Sequence, residues 1–583
     1  MSVLGLKREE KDGAAQFLAR LRRDVRGNTL AIMAAAMIPL LALIGSGVDM
    51  TRAYMAQNRL RQACDAGALA GRRLLTGTTV TTALRTETLK YFDFNFPRSP
   101  VPFFEAANFE PAITIPQQGT LRVTAATSIP TTIMKMFGFN TLGISATCSA
   151  TQDFVGTDIM LVLDMSGSMN CAPGVSGNCN EVEASNSKMS ALRSAATSLY
   201  ETLKSAQDQL HSNNLRLRYG FVPYNATINV GRLVYAKNPT YIRSGNYLYN
   251  TRVTPTQTNT STEQRYTSKS SCDAANGSYQ AIIGNLLGIC TITTTTTTNG
   301  SPTWGKFPID ISQYVTGSSV STPTAPGTRS SWAGCIEERI TNNVLINGGS
   351  STSAPSDAWD LDINRIPNSD ESRWAPWWPE VVYRVNENSQ ATETRYCASQ
   401  ASRLREYYND KASFTSYLNS LDPQGSTYHD IGMIWGARFI SPYGIFASST
   451  PETNNPNDPD NPVKLRGFNV RKYIIFMTDG DLSPNMNEYT TYGVESLDKR
   501  VLGTASGSTA QLNRHLQRFR MACNAAKSQN TEVWVIAFAT TLTDDMRKCA
   551  SDDSKAAGIS SSADLIAKFQ EIGSKIGSLR LSQ

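Results

Sequence analysis

The chain has 583 residues, 40% of them hydrophobic and 18% charged. At about 150 residues per domain this length suggests roughly four units, with enough apolar matter for a sizeable core and too little charge for a disordered polyampholyte. A net charge of +6 is a mild excess that does not point to nucleic acid, and three histidines (His211, His429, His515) all but exclude a multi-histidine zinc or iron enzyme.

The first element is an uncharged run from Gly27 to Val48, GNTLAIMAAAMIPLLALIGSGV. As a helix it would reach about 33 Å, enough to cross a bilayer core, and mid-span Pro39 is tolerable there. A cleaved signal peptide is the rival reading, with Gly45-Ser46-Gly47 imitating a cleavage site. Lys7, Arg8, Lys11, Arg20, Arg22, Arg23 and Arg26 precede the run; Arg52, Arg59 and Arg61 follow it, so the positive-inside signal is weak. The cysteines add weight. All ten, from Cys64 to Cys549, follow the run, and no C-x-x-C pair occurs. That pattern favours disulfides outside the cytosol. The expectation is a cytoplasmic tail over 1–27, a transmembrane helix over 28–48, and everything after it outside.

Residues 49–75 continue as an Ala-rich amphipathic helix, with Met50, Tyr54, Leu60, Cys64 and Gly67 near one stripe. Asp49 reads as a solvated residue just outside the membrane. Leu121–Pro130 and Ile144–Thr151 alternate as strands do. A long helix leading into a small sheet makes 49–152 a pilin-like α+β stem. The stretch RGNTLAIMAAAMIPLLALIGSGVDMTRAYMAQNRLRQACDAGALAG resembles the N-terminal region of the TadG-like proteins of bacterial tight-adherence (Flp) pilus systems. It shows a basic stretch, Gly-Asn, an apolar span, Asp49, Tyr54, then Leu60, Gln62 and Asp65. The resemblance implies a pilus-assembly role. Pilin-like proteins of such systems are often cut after a glycine and carry glutamate at the fifth mature position. Counting from Asn28, the fifth residue here is Ile32, so the span is expected to stay uncut.

From Asp158 the texture changes. DIMLVLD reads as a buried parallel strand ending in Asp164, and KYIIFMTDGD repeats the pattern at Asp479. Leu215–Val222 and Glu532–Ala539 are further strands. Helices are expected after Ser185–Ser187, over 508–528 and from about Ala563. Strands alternating with helices predict an α/β domain with a doubly wound, Rossmann-like sheet over 153–230 and 401–583. Residues 231–400, rich in Thr, Ser, Asn and Gly, read as a disulfide-stapled insertion. In it the six-threonine run Thr293–Thr298 reads as a flexible loop, and Trp374, Trp377 and Trp378 as a small core. Asn454–Pro462 reads as a surface loop.

In such a sheet, ligands bind at the carboxyl ends of strands. Asp164, Ser166 and Ser168 form D-x-S-x-S, and Gly167 relaxes the loop. Alternating oxygens in a tight loop suit a hard cation such as Mg2+, or Mn2+, which takes about six oxygens. The rival reading makes Ser166 and Ser168 helix caps. D-x-S-x-S, then G-S-T at Gly425–Thr427, then T-D-G at Thr478–Gly480 resembles the metal-ion-dependent adhesion site of von Willebrand factor A domains. The resemblance implies Ser166, Ser168 and Thr427 as direct ligands, with Asp164 and Asp479 binding directly or through water. Thr478 and Ser426 are alternates to Thr427. The sixth position would take a partner's Asp or Glu carboxylate.

Other signals are weaker. GSPTWGK (Gly300–Lys306) lacks the Ser or Thr that a phosphate loop needs. SNSK (Ser185–Lys188) reads as helix capping. His429-Asp430 would suit a hydrolase, but no G-x-S-x-G occurs. The expected function is therefore binding rather than catalysis: a single-pass inner-membrane protein, its bulk periplasmic or surface-exposed, joining pilus or envelope components through a metal and a carboxylate. The alternatives are a periplasmic hydrolase using the insertion as substrate domain, and a cytosolic von Willebrand A subunit of an ATPase machine. Pairing cysteines that are near in sequence within one domain gives Cys64–Cys148, Cys171–Cys179, Cys272–Cys290, Cys335–Cys397 and Cys523–Cys549.

Overall fold

The computed structural model describes residues 25–577, apart from 76–78, 100, 118, 152–154, 176, 178, 180–181, 326, 344–352 and 384–395. Most of the tail expected over 1–27 lies outside the described residues. The chain divides into two compact units, the first ending at Phe154 and the second running over Val155–Ser578.

The first unit is built on one helix, α1 (Val25–Arg72), which runs 48 residues straight through Pro39. Its Ile32–Arg72 part is long and apolar enough to cross a membrane, with a mean hydropathy of 1.9 in its most apolar window. Ile32, Met33, Met37, Leu40, Leu43 and Ile44 are all more than half exposed. The second half of α1 is amphipathic, but its stripe differs from the expected one. Ala56, Leu60, Ala63, Cys64 and Ala68 are buried, while Met50 and Tyr54 point outward. The buried stripe holds small residues because other backbones come close. α2 (Thr82–Asn95) crosses α1 at Gly67 and Gly71, where a Cβ on Gly71 would lie 1.9 Å from Thr88 Oγ1. Three antiparallel strands, β1 (Ala112–Gln117), β2 (Thr120–Pro130) and β3 (Thr141–Thr151), cover the same stripe in the order β1-β2-β3. Leu121, Val123, Ala125, Ile144 and Ala146 form the sheet side of this core.

Asp49 corrects the sequence reading: it is 2% exposed, not solvated. Its carboxylate accepts the backbone N–H groups of Thr132, Ile133 and Met134 at 2.8, 2.9 and 2.8 Å. The Met134 N–H, ahead of the opposing effect of burial, holds this carboxyl below its usual range.

The second unit carries a six-stranded sheet in the order β11-β5-β4-β12-β13-β14. These strands are β4 (Thr157–Asp164), β5 (Leu217–Tyr224), β11 (Ser402–Glu406), β12 (Arg471–Thr478), β13 (Thr531–Phe538) and β14 (Ala556–Ile559). Only the edge strand β11 runs antiparallel. β4, β5 and β12 read as continuous apolar runs because both faces are covered. On one face Tyr219 and Phe221 meet Tyr200 of α3 (Lys188–Thr202) and Phe414 and Tyr417 of α4 (Lys411–Asn419). On the other, Tyr224 stacks on Phe476, which meets His429 of α5 (His429–Ile440) and Phe519 of α6 (Ser508–Lys527). The last helix, α7 (Ser562–Gly577), lies on α3, with Gly573 against Thr202. At the amino ends of the strands, Asp158 accepts Arg218 at 2.7 and 2.9 Å and Lys472 at 3.1 Å. Burial would raise its pKa, and these cations overcome that and hold it well below the usual carboxylate range.

The chain between β5 and β11 shares the core of the α/β unit. Trp332, Trp374, Trp377 and Trp378 are buried in one cluster with Ile434 and Trp435 of α5. Glu338 joins the two parts, accepting Trp374 Nε1 at 3.0 Å, Trp435 Nε1 at 2.7 Å and the Arg438 guanidinium. The six threonines do not form a flexible loop. They lie in β9 (Leu287–Asn299), which pairs with β7 (Thr256–Thr267) and β8 (Ser278–Ile283); the strands that flank these in the chain, β6 (Asn246–Val253) and β10 (Thr303–Asp310), pair antiparallel with each other. β-branched threonine suits an extended backbone, and Thr258, Thr260 and Thr262 stand opposite Thr297, Thr295 and Thr293. The Asn454–Pro462 stretch is a surface loop, as its composition suggests, and it is tied down by polar contacts. Its Pro456 carbonyl accepts Arg216 at 2.7 Å, and Asn461 is buried on Phe439 O. All five cysteine pairs form as expected from sequence.

Candidate metal centre

β4 and β12 are neighbours in register, so their last residues emerge side by side at the carboxyl edge of the sheet. This adjacency brings together residues more than 300 positions apart. Asp164 closes β4 and is wholly buried; its Oδ1 accepts the Ser166 N–H at 2.8 Å, which bends the loop back over the strand end. The bend aims both serine hydroxyls the same way. Ser166 Oγ and Ser168 Oγ lie 3.0 Å apart, at 3.4 and 2.9 Å from Asp479 Oδ1. Neither serine side chain caps the short 3-10 turn Gly167–Asn170 that follows.

Thr427 comes from the loop before α5. That loop is bound to the first one: Gly167 N–H donates to Gly425 O at 2.9 Å, Gln424 N–H to Met165 O at 2.8 Å, and Asn170 Nδ2 to Pro423 O at 2.9 Å. Gly480 marks the meeting point, since a Cβ there would lie 3.7 Å from Thr427 Oγ1 and 3.8 Å from Ser168 Oγ. Ser166, Ser168 and Asp479 are therefore in mutual hydrogen-bond reach, Asp164 holds the loop beneath them, and Thr427 and Ser168 both come near Gly480. The two alternates do not face this spot. Ser426 hydrogen-bonds Glu488, a carboxyl that burial raises to about 7. Thr478 donates to Asp164 Oδ2 at 2.7 Å and stands 3.0 Å from His429 Nε2, buried behind the spot.

One residue of the site escapes the sequence reading. Lys188, the first residue of α3, is 3% exposed, and its Nζ donates to Asp479 Oδ2 at 2.8 Å. Ser187 caps α3 by accepting the Ser190 N–H at 2.9 Å, as SNSK suggests, and the cap turns the lysine inward. The only sequence signal was a lysine opening the helix after D-x-S-x-S. Asp479 thus shows two different edges, Oδ1 to the hydroxyls and Oδ2 to the ammonium.

The electrostatics leave a deficit of positive charge. Two buried carboxylates face one ammonium. Burial, and then the Asp479 charge, raise Asp164 to about 7. Three hydroxyls and two carboxylates are the donor types a hard divalent cation takes, and Lys188 occupies the edge of Asp479 turned away from them. Such a group would be held by Ser166, Ser168, Thr427, Asp479 and Asp164, and would supply a positive point able to bind a carboxylate. Among the described residues no group of three or more His, Cys, Asp and Glu side chains could hold a metal ion, and this spot itself offers only two carboxylates beside its hydroxyls.

A hydrolytic triad does not assemble. His429 Nε2 meets Thr478, its ring lies among Tyr224, Phe476 and Phe519, and burial lowers its pKa to about 4. Asp430 points instead to His515 at 2.8 Å and Arg518 at 3.4 Å.

Residues 27–73 match the family model described as putative Flp pilus-assembly TadE/G-like. No curated protein sequence matches the chain. Among solved structures, the pilus adhesin SpaC of Lactobacillus rhamnosus GG aligns at 11% identity and a TM-score of 0.30. That alignment covers 79% of this chain and 33% of SpaC, so the chain spans about a third of the adhesin's length. The PilB minor pilin of Streptococcus sanguinis aligns at 10% identity and a TM-score of 0.30, covering 82% of this chain and 80% of PilB. The vWF domain of the type V pili tip protein Mfa5 from Porphyromonas gingivalis aligns at 10% identity and a TM-score of 0.27, covering 74% and 97%.

Proposed function

We propose that this is a membrane-anchored pilus-assembly or adhesion protein, TadG-like in its N-terminal region. Its second unit is read as a doubly wound, von Willebrand A-like head that binds a partner through Mg2+ or Mn2+. The observation that carries the reading is the convergence of Ser166, Ser168, Thr427 and Asp479 over buried Asp164. The match of residues 27–73 to a pilus-assembly family supports the cellular context. The partner would present an Asp or Glu side chain to complete the cation's shell, as one of the pilus or envelope components. Binding rather than catalysis fits a site with hydroxyls and carboxylates but no assembled nucleophile and base. α1 would be a fixed, uncut anchor in the inner membrane with everything after Val48 outside, since Ile32 stands where a filament subunit would carry glutamate.

Calorimetry of the full chain in detergent tests the head. Mg2+ or Mn2+ should bind with one-to-one stoichiometry, and Asp164→Ala should abolish binding while thermal unfolding stays cooperative. Equal binding by both proteins would overturn the assignment. N-terminal sequencing of membrane-extracted protein tests the anchor; a chain beginning at Asn28 would make it a processed pilin.

A further inference from the structure

The turn that Asp49 holds is more apolar on its outside than a solvated turn needs to be. After Asp49 takes the N–H groups of Thr132, Ile133 and Met134, the chain makes a single 3-10 turn over Met134–Phe137, and Gly138 closes it at φ 91°. Ile133 goes inward onto α1: a Cβ on Gly45 would lie 2.2 Å from Ile133 Cγ2, so its side chain rests on the bare helix backbone. The next side chains go outward. Met136 is 84% exposed, Phe139 60% and Phe137 38%.

The place of this turn along α1 is fixed by its contacts. Gly45 belongs to the uncharged run and Asp49 is the first charge after it. The turn therefore sits level with the last helical turn of the span. At 1.5 Å per residue, Gly45 lies only about 5 Å inside Val48. An apolar cluster at that height lies where acyl chains give way to headgroups. The surrounding charges suit phosphates as well. Lys135 is exposed at the tip, and Arg52 hydrogen-bonds the Thr132 hydroxyl beside it. Exposed apolar residues with basic neighbours are the composition of interfacial anchors.

We propose that the Ile133–Phe139 turn is a second membrane contact, with Met136, Phe137 and Phe139 inserted into the outer-leaflet interface of the bilayer that α1 crosses. Asp49 is then a clamp that holds the wedge to the helix, so the stem meets the membrane at two points. Two points set a fixed tilt and rotation, which a lone helix does not. The proposal rests on the reading of α1 as a membrane span.

The test uses the full chain in nanodiscs of phosphatidylcholine and phosphatidylglycerol. All ten cysteines are paired, so Met136→Cys introduces the one free thiol for an environment-sensitive NBD label. Leu41→Cys, in the span, reports whether α1 is in the bilayer. Leu69→Cys, half-exposed and about 30 Å beyond Val48 along α1, reports an aqueous position. Lipids brominated on the acyl chains should roughly halve emission at 136, as at 41, with no effect at 69. Aqueous iodide should quench only the label at 69. Quenching by bromolipid at 41 but not at 136 would overturn the wedge and leave the span standing. A label at 136 shielded from both quenchers would mean protein covers the turn, overturning the lipid assignment. No bromolipid quenching at 41 would overturn the span and the wedge together.

Discussion

Lys188 donates to Asp479 Oδ2 at 2.8 Å while Ser168 donates to Oδ1 of the same carboxylate at 2.9 Å. One buried carboxylate is thus divided between a fixed internal cation and a cluster of hydroxyls. The ammonium supplies countercharge to Asp479 from inside the fold, on the edge turned away from the hydroxyls.

Lys188→Met removes that countercharge. Breaking a buried pair costs about 3–5 kcal/mol when the remaining charge has no partner. The variant should melt well below the parent in EDTA, and Mg2+ should raise its Tm by more than it raises the parent's. Differential scanning calorimetry with and without Mg2+ checks this; identical Mg2+ shifts would mean that Lys188 and the cation do not share Asp479.

Cation binding should depend on pH through Asp164. This carboxyl is raised to about 7 by burial and by Asp479, so in the folded protein without metal it holds a proton that the unfolded chain has lost. Its contribution to stability is therefore present below the unfolded pKa and is lost as pH rises through about 7. A cation must displace the proton. Mg2+ affinity should then rise between pH 5 and 7 and level off above, with proton release in calorimetry at the lower pH. A flat profile would take Asp164 out of the site.

Asp49→Asn keeps the shape of the clamp but removes its charge. Charge-assisted N–H bonds are roughly twice as strong as neutral ones, so the Thr132–Met134 segment should loosen. Faster amide exchange at Ile133 and Met134, with unchanged exchange across β4 and β12, is the expected pattern. In the parent, the clamp's contribution should be full above the usual carboxylate range and fade only as pH falls below it, because the folded carboxyl is depressed.

Gly71→Ala tests the helix crossing in the stem. The new Cβ would lie 1.9 Å from Thr88 Oγ1 and 2.6 Å from Leu121 Cδ2, so α2 or the sheet must move. Overpacking of this kind costs about 1–3 kcal/mol. Chemical denaturation should show the first unit unfolding earlier while Mg2+ binding by the second is unchanged; Gly47→Ala, which meets nothing within 4 Å, is the control.

Local pattern determined much of this protein. An uncharged run of membrane length, strands apolar on both faces, and D-x-S-x-S at a strand end can each be read from neighbouring residues, because periodicity and turn chemistry act over a few positions. The same locality is why Asp164, Ser166, Ser168, Thr427 and Asp479 can be proposed as ligands from their motifs, and why pairing cysteines by proximity gives the five bridges observed. Three features were beyond its reach. Lys188 looked like a capping lysine, because only the register of β4 against β12 brings Asp479 beside the start of α3. Asp49 looked solvated, because the N–H groups that bury it come from more than 80 residues away. The threonine run looked like a loop, because its order comes from the partner strand β7 and not from its own apolar content. In each case the partner that satisfies a polar group is remote in sequence. Such pairings are settled by which backbones the fold brings together, and only the tertiary structure decides that.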